Sequence, residues 1–295
     1  MEKIPTIRKP GSRLRISDIV IITLLILLAL LIIYPFYNAI LISLVPQNDY
    51  VRSPLMLFPE RVIFDSYRYV LNSRTTWSGF AVTTFVTVVG TAYSMILTVL
   101  TAYVLTKKFP GRGFIMWAII FTMYFSGGLI PYYLLVTRLG LSNSLFSMIL
   151  PSGIEYTYMI IIMRYMESLP ADLEEAAEID GASKFKVLFM IVLPLSLPIL
   201  ATYTLYFAVD RWNEWWNAML FIKSSHLQPL QLVLRNLIQD SSTAMADAQL
   251  NDLPRAYAEG IKMASIVVTM LPIMFLYPFL QRYFLSGLTI GAVKG

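Results

Sequence analysis

Charged residues stand far apart along this chain, and the gaps between them are apolar. Nothing between Asp18 and Asp49 carries a charge, and residues 19–44 are almost wholly apolar. A second uncharged stretch, 78–106, lies between Arg74 and Lys107, and a third, 113–137, between Arg112 and Arg138. The fourth, 144–163, contains one charge, Glu155. The fifth, 187–209, lies between Lys186 and Asp210, and the sixth, 263–281, between Lys262 and Arg282. Each is near or above the ~20 residues a helix needs to cross the hydrocarbon core. In that core a helix satisfies its own backbone hydrogen bonds. The pattern predicts an all-α membrane protein with six transmembrane helices. It reads as an N-terminal tail, 1–18, followed by a six-span domain, 19–295.

Composition sharpens this reading. The chain is 57% hydrophobic and 14% charged, against about 45–50% and about a quarter in soluble domains. Cysteine is absent and histidine occurs once, at His226. Thiolate metal sites, disulfides and cysteine catalysis are excluded, and no metal site is expected. A Ser–His pair is nearly excluded too, since the lone imidazole lies outside the predicted bundle. The net charge of +5 is small for 295 residues and reads as membrane topology rather than nucleic-acid binding.

The first apolar run is longer than a signal-peptide core and no small-residue cleavage site follows, so it is read as a retained span. Five bases in the N-terminal tail and three in Lys107–Arg112 predict that both lie in the cytoplasm. The C-terminus then lies there as well. The extracytoplasmic side receives a long loop, 210–260.

The segment between the fourth and fifth spans does not read as a linker. From Glu167 to Asp180 it holds six acids and no base, although inside loops usually carry positive charge. Pro170 suits a helix opening, and Asp172, Glu174 and Glu175 suit the positive end of its dipole. Gly181 suits the left-handed position that ends a helix. A second helical stretch, 183–193, then leads to Pro194. Small Ala176 and Ala177 allow close approach, and the acids suit a basic groove on a partner.

Glu175-Ala176-Ala177, then Gly181, then Ile191-Val192-Leu193-Pro194 resembles, without a departure, the EAA motif of bacterial ABC importer permeases. The tail 285–295 is similar to that of MalG-type carbohydrate permeases. Residues 125–131 and 228–235 resemble the LplC/YtcP-like branch. The resemblance implies a type I ABC importer permease fold in the bacterial cytoplasmic (inner) membrane. It implies that loop 167–194 is a coupling segment, with Glu174, Glu175, Ala176, Ala177, Asp180 and Gly181 at the ATPase. It further implies a heterodimer with a second permease, two ATP-binding cassette subunits and an extracytoplasmic solute-binding protein. The substrate class implied is oligosaccharide, acidic uronate-type sugars included. ATP and Mg²⁺ would sit on the partners, with no cofactor on this chain. The sequence agrees independently: no lysine follows a glycine, so a phosphate-binding Gly-Lys-Ser/Thr loop is missing.

Residues that could meet substrate are Glu155, Tyr156 and Tyr158, because an acid in the fourth span is costly unless it meets water or a partner. Pro151 and Gly153 just before it suit a broken backbone lining a cavity. Trp212 and Asn213, at the outer end of the fifth span, could stack on and hydrogen-bond a sugar, or form an interfacial aromatic belt. The adjacent Asp210-Arg211 reads as a local ion pair. Pro194 and Pro198 could be a hinge or packing. In the 210–260 loop, Gln239 and Asp247 are expected to approach the solute-binding protein, as in the resembled maltose-type permeases. The competing reading is a standalone secondary carrier or channel. It predicts paired intramembrane charges, and the spans hold only Glu155. Within the leading reading the chain is a transport subunit and carries no catalytic residue.

Overall fold

The computed structural model describes residues 16–52, 57–59, 61–247 and 259–275. All regular structure among them is helical. The N-terminal tail to residue 15 and the 285–295 motif lie outside the described residues.

Helix α1, Ile16–Leu44, buries only Ala39, Leu41, Ile42 and Ser43, all near its C-terminal end. Its most apolar window is wholly exposed. Water cannot be the solvent for such a surface. Helix α2, Asp65–Asn72, is joined to it by Ser43 Oγ and Tyr67 Oη at 2.7 Å.

Helix α3, Arg74–Thr106, is the axis of the molecule, and the later helices gather around it. It buries Val82, Val86, Gly90, Ser94, Thr98 and Ala102, spaced by four. A stripe of small residues lets neighbouring backbones come close where apolar burial drives nothing. A Cβ added at Gly79 would lie 3.3 Å from the Leu230 backbone, so this contact depends on glycine.

Three of the predicted spans are interrupted. The 113–137 stretch forms α4, Arg112–Tyr124, and α5, Leu129–Arg138, bent by 114°. Gly128, at φ +88°, makes the corner. The 144–163 stretch is not one helix. A single turn, Phe146–Ile149, is followed by the open segment 150–155 and then α6, Tyr156–Glu167. Pro151 has no N–H for a helix ladder. Glu155 is therefore the N-cap of α6 and not a mid-helix acid.

Segment 167–194 contains α7, Ala171–Ile179. Next comes α8, Lys184–Leu195, with a π-turn at Leu188–Val192. Helix α9, Leu197–Trp212, follows, and α10, Trp216–Phe221, continues it. The stretch Leu197–Phe221 is bent by 83° from α8, with Ser196 at the corner between Pro194 and Pro198. Pro198 cannot donate to the helix ladder, and Tyr165 Oη donates to the Leu195 carbonyl beside the bend at 3.4 Å. Helix α11, Leu230–Asp247, occupies much of the predicted 210–260 loop, and α12 spans 259–275.

Among the described residues α1 and α3 are long and apolar enough to cross a membrane. Each bent pair adds one more crossing if it counts as a span. The predicted sixth span, 263–281, continues beyond the described residues.

Two cores flank α3. One joins Val99, Ala102, Tyr103 and Leu105 to α6, α8 and α9 through Met159, Ile162, Val187, Leu188 and Tyr203. The other joins Val82 and Val86 to Met148, Ile149, Ala218, Ile222 and Leu232.

Candidate functional site

Segment 167–194 is capped much as its residues predict. Pro170 is the N-cap of α7, and Asp172 and Glu174 occupy its first turn. The helix ends with Asp180 N–H on Ala176 O at 3.0 Å, Gly181 N–H on Glu178 O at 3.0 Å and Ala182 N–H on Ala177 O at 2.9 Å. Gly181 has φ +81°, and the space around its missing Cβ is open. Its requirement for glycine is thus dihedral and not steric. Ser183 caps α8 by accepting from Lys186 N–H at 3.4 Å.

The acids are less free than the sequence implied. Lys107 pairs with Glu174, and Lys184 with Glu178. Glu167 takes Arg112 at 2.8 Å and Arg164 at 2.9 Å. Lys107 also sits over the Tyr103 ring, 4.4 Å from its centroid. The 107–112 loop and α7 are thus tied together. Asp172, Glu175 and Asp180 remain exposed. So do Leu173, Ala176 and Ile179, one helical turn apart, with Phe185 beyond the corner at 71% exposure. Ala177 packs inward against the core, so the two alanines do different work. The free face of α7 is apolar as well as acidic.

The second group of residues gathers at the open segment 150–155. Glu155 accepts from Thr157 N–H at 3.3 Å. Tyr158, in the first turn of α6, donates its hydroxyl to Asp210 at 3.1 Å. Its ring lies 5.0 Å from Tyr203, 5.6 Å from Tyr206 and 5.1 Å from Phe207. Glu155 caps the helix whose first turn carries Tyr158. Two carboxylates thus border an aromatic cluster, the chemistry that accepts from hydroxyls and offers ring faces. Tyr156 stands next to Glu155, half-buried.

Asp210 and Arg211 do not form the expected local ion pair; successive helical side chains diverge. Asp210 turns out to Tyr158, while Arg211 is 4% exposed. Arg211 donates to Met148 O at 2.8 Å, to Ser94 Oγ at 2.8 Å and to Ser152 O. Its aliphatic stem crosses Gly90, where a Cβ would lie 3.1 Å from its Cδ. Sequence reasoning missed this arrangement. The signal was present: Arg211 is the only base between Lys186 and Lys223.

Trp212 and Asn213 part company. Trp212 is buried, edge-to-face with Phe80 at 5.9 Å. It packs against α3 and is removed from the aromatic cluster around Tyr158. Asn213 is exposed and accepts from Gln231 Nε2 at 3.3 Å. Glu214 caps α10 through Asn217 N–H at 2.8 Å, and Tyr132 Oη donates to Asn217 Oδ1 at 2.6 Å.

Helix α11 spends its first half on this chain. Leu230 N–H donates to Thr83 Oγ1 at 2.8 Å, and Leu230, Leu232 and Val233 are buried. Gln239 is exposed beyond that contact. The Asp247 side chain lies outside the described residues. His226 is exposed in a short turn.

The family model "Binding-protein-dependent transport system inner membrane component" matches residues 14–290. The chain is 38% identical, over 95% of its length and 99% of the relative's, to the polygalacturonan/rhamnogalacturonan transport system permease protein YtcP of Bacillus subtilis (strain 168). It is 41% identical to the protein LplC of the same organism, over 89% of this chain and 90% of LplC. A solved structure of a bacterial ABC transporter involved in the import of the acidic polysaccharide alginate contains a chain with TM-score 0.83 and 32% identity. The match covers 93% of this chain and 100% of that one.

Proposed function

Because the chain belongs to the family of binding-protein-dependent transport system inner membrane components, we propose that it is the sugar-permease subunit of an ATP-driven importer and forms half of its translocation path. It is a transport subunit and not an enzyme. ATP and Mg²⁺ belong to two cytoplasmic ATP-binding partners, and a second permease completes the path. An extracytoplasmic solute-binding protein delivers the sugar.

The coupling contact is the exposed face of α7. Leu173, Ala176 and Ile179 supply an apolar stripe, and Glu175 and Asp180 supply charge. Glu174 acts from behind, holding α7 to Lys107. Gly181 sets the corner between α7 and α8. The 107–112 loop and α7 then face the cytoplasm. Beyond residue 238, α11 reaches the solute-binding protein, with Gln239 at the contact. An adduct between Gln239→Cys and the binding protein in the assembled importer is the expected result. Its absence from every position between 239 and 247 would remove this assignment.

The single observation that carries the path assignment is the open segment 150–155, with Glu155 and the Tyr158–Asp210 pair beside it. Unwound backbone at membrane depth belongs in a protein-lined or water-lined cavity. Glu155, Tyr156 and Tyr158 accept and donate hydrogen bonds to sugar hydroxyls there. The substrate class is oligosaccharide of the uronate type, supported by the names of two similar proteins. Two carboxylates repel a uronate. Glu155 and Asp210 therefore meet its neutral hydroxyls, and the partner permease supplies the cations for its acid groups.

Glu155→Gln tests this, since it keeps shape and removes charge. In the reconstituted importer, oligogalacturonide uptake is expected to change about tenfold, the effect of altering one charged hydrogen bond. Unchanged uptake and unchanged sugar-stimulated ATP hydrolysis would return Glu155 to a packing role.

A further inference from the structure

Two consecutive residues at the end of α9 hold opposite sides of the open segment. In an unbroken helix Met148 O would take the N–H of Ser152, and Ser152 O that of Tyr156. Neither bond is made, yet neither carbonyl is bare. Arg211 Nη1 donates to Met148 O at 2.8 Å, and Nη2 donates to Ser152 O and to Ser94 Oγ at 2.8 Å. On the far side of the gap, Asp210 takes the hydroxyl of Tyr158 in the first turn of α6. The planar fork of the guanidinium serves these three acceptors from two separate nitrogens held in a fixed geometry. Gly90 leaves room for its stem, and Gly153 lets the open segment press onto Tyr93 of α3.

We propose that Arg211 is a positioning residue that keeps residues 150–155 unwound, with Asp210 clasping the far edge, so that Glu155 is held at the break. A guanidinium without a carboxylate hydrogen-bond partner, buried between the two cores, is costly to place there. The three bonds it makes go to neutral acceptors, and two of those are the carbonyls the break exposes. The charge thus replaces the helix ladder locally.

The chain has no cysteine, so Ser152→Cys gives it one thiol. The experiment measures labelling of this subunit by N-ethylmaleimide in the assembled importer in membrane vesicles, beside Ser225→Cys as an exposed reference. Arg211→Met is expected to slow labelling at 152 about tenfold, the equilibrium change from losing charged hydrogen bonds, with the reference unchanged. Arg211→Lys recovers only part of the rate, because an ammonium lacks the fork. A mere structural role would loosen the fold and speed both sites, and that result overturns the proposal, as does an unchanged rate at 152. If Arg211→Met fails to assemble, Gly90→Ala and Ser94→Ala carry the test. Slower labelling at 152 in both supports the proposal, and unchanged labelling in both overturns it. No step in this assay requires sugar passage, so its outcome is separate from that of Glu155→Gln.

Discussion

The coupling end and the middle of α3 both hold arginines and acids, but they use charge differently. At the coupling end, Arg112, Arg164, Lys107 and Lys184 meet the carboxylates of Glu167, Glu174 and Glu178. These pairs lie near the surface, where each contributes about 0–1 kcal/mol. Their work is to fix where α7 sits. In the middle, Arg211 meets a hydroxyl and two carbonyls in the interior. Removing a buried donor leaves a neutral acceptor unsatisfied and costs about 1–3 kcal/mol. Many weak, adjustable contacts suit a surface that docks on a moving partner, whereas a buried fork suits a fixed break.

The largest break in this comparison comes from Gly181→Val. It places a β-branched residue at φ +81°, against roughly 1–2 kcal/mol of left-handed strain. Import is expected to be lost while the subunit still reaches the membrane, because nothing crowds the new side chain. Import at the normal rate, measured with the subunit level matched, would remove the corner from coupling. Next comes the contrast of two arginines. Arg211→Ala should lower denaturant stability of the solubilised complex by about 1–3 kcal/mol, and Arg112→Ala by under about 1 kcal/mol. Equal losses would erase the distinction between buried fork and surface pair. The smallest effect is that of Lys107→Glu, which opposes the carboxylate of Glu174 on α7. Import is expected to fall several-fold, within the roughly 1 kcal/mol scale of such pairs, and to recover in Lys107→Glu/Glu174→Lys. If the double exchange is no better than the single one, α7 is not held by this pair.

The coupling segment was legible because its signals are local. Pro170, the first-turn acids and Gly181 each specify a cap or a corner through their own local chemistry, and they sit where the sequence placed them. The interrupted spans were legible only in part. Pro151 and Gly153 announced a break, but hydropathy alone reads 113–137 and 144–163 as continuous, since apolarity says nothing of direction. Trp212 shows the same limit: its side was set by Phe80 on another helix.

The sequence by itself determined that this chain lives in a membrane, where its helices start and stop in the coupling segment, and that no phosphate-binding loop is present. Those properties depend on composition, on dihedral preference and on spacing within one turn. Only the tertiary structure decided which acids of α7 are already paired, that Leu230, Leu232 and Val233 of α11 are buried, and which donors meet the carbonyls of Met148 and Ser152. Arg211, Ser94 and Met148 are distant in the chain. They meet because small residues spaced by four on α3 let the other helices approach closely enough for one guanidinium to reach all three acceptors.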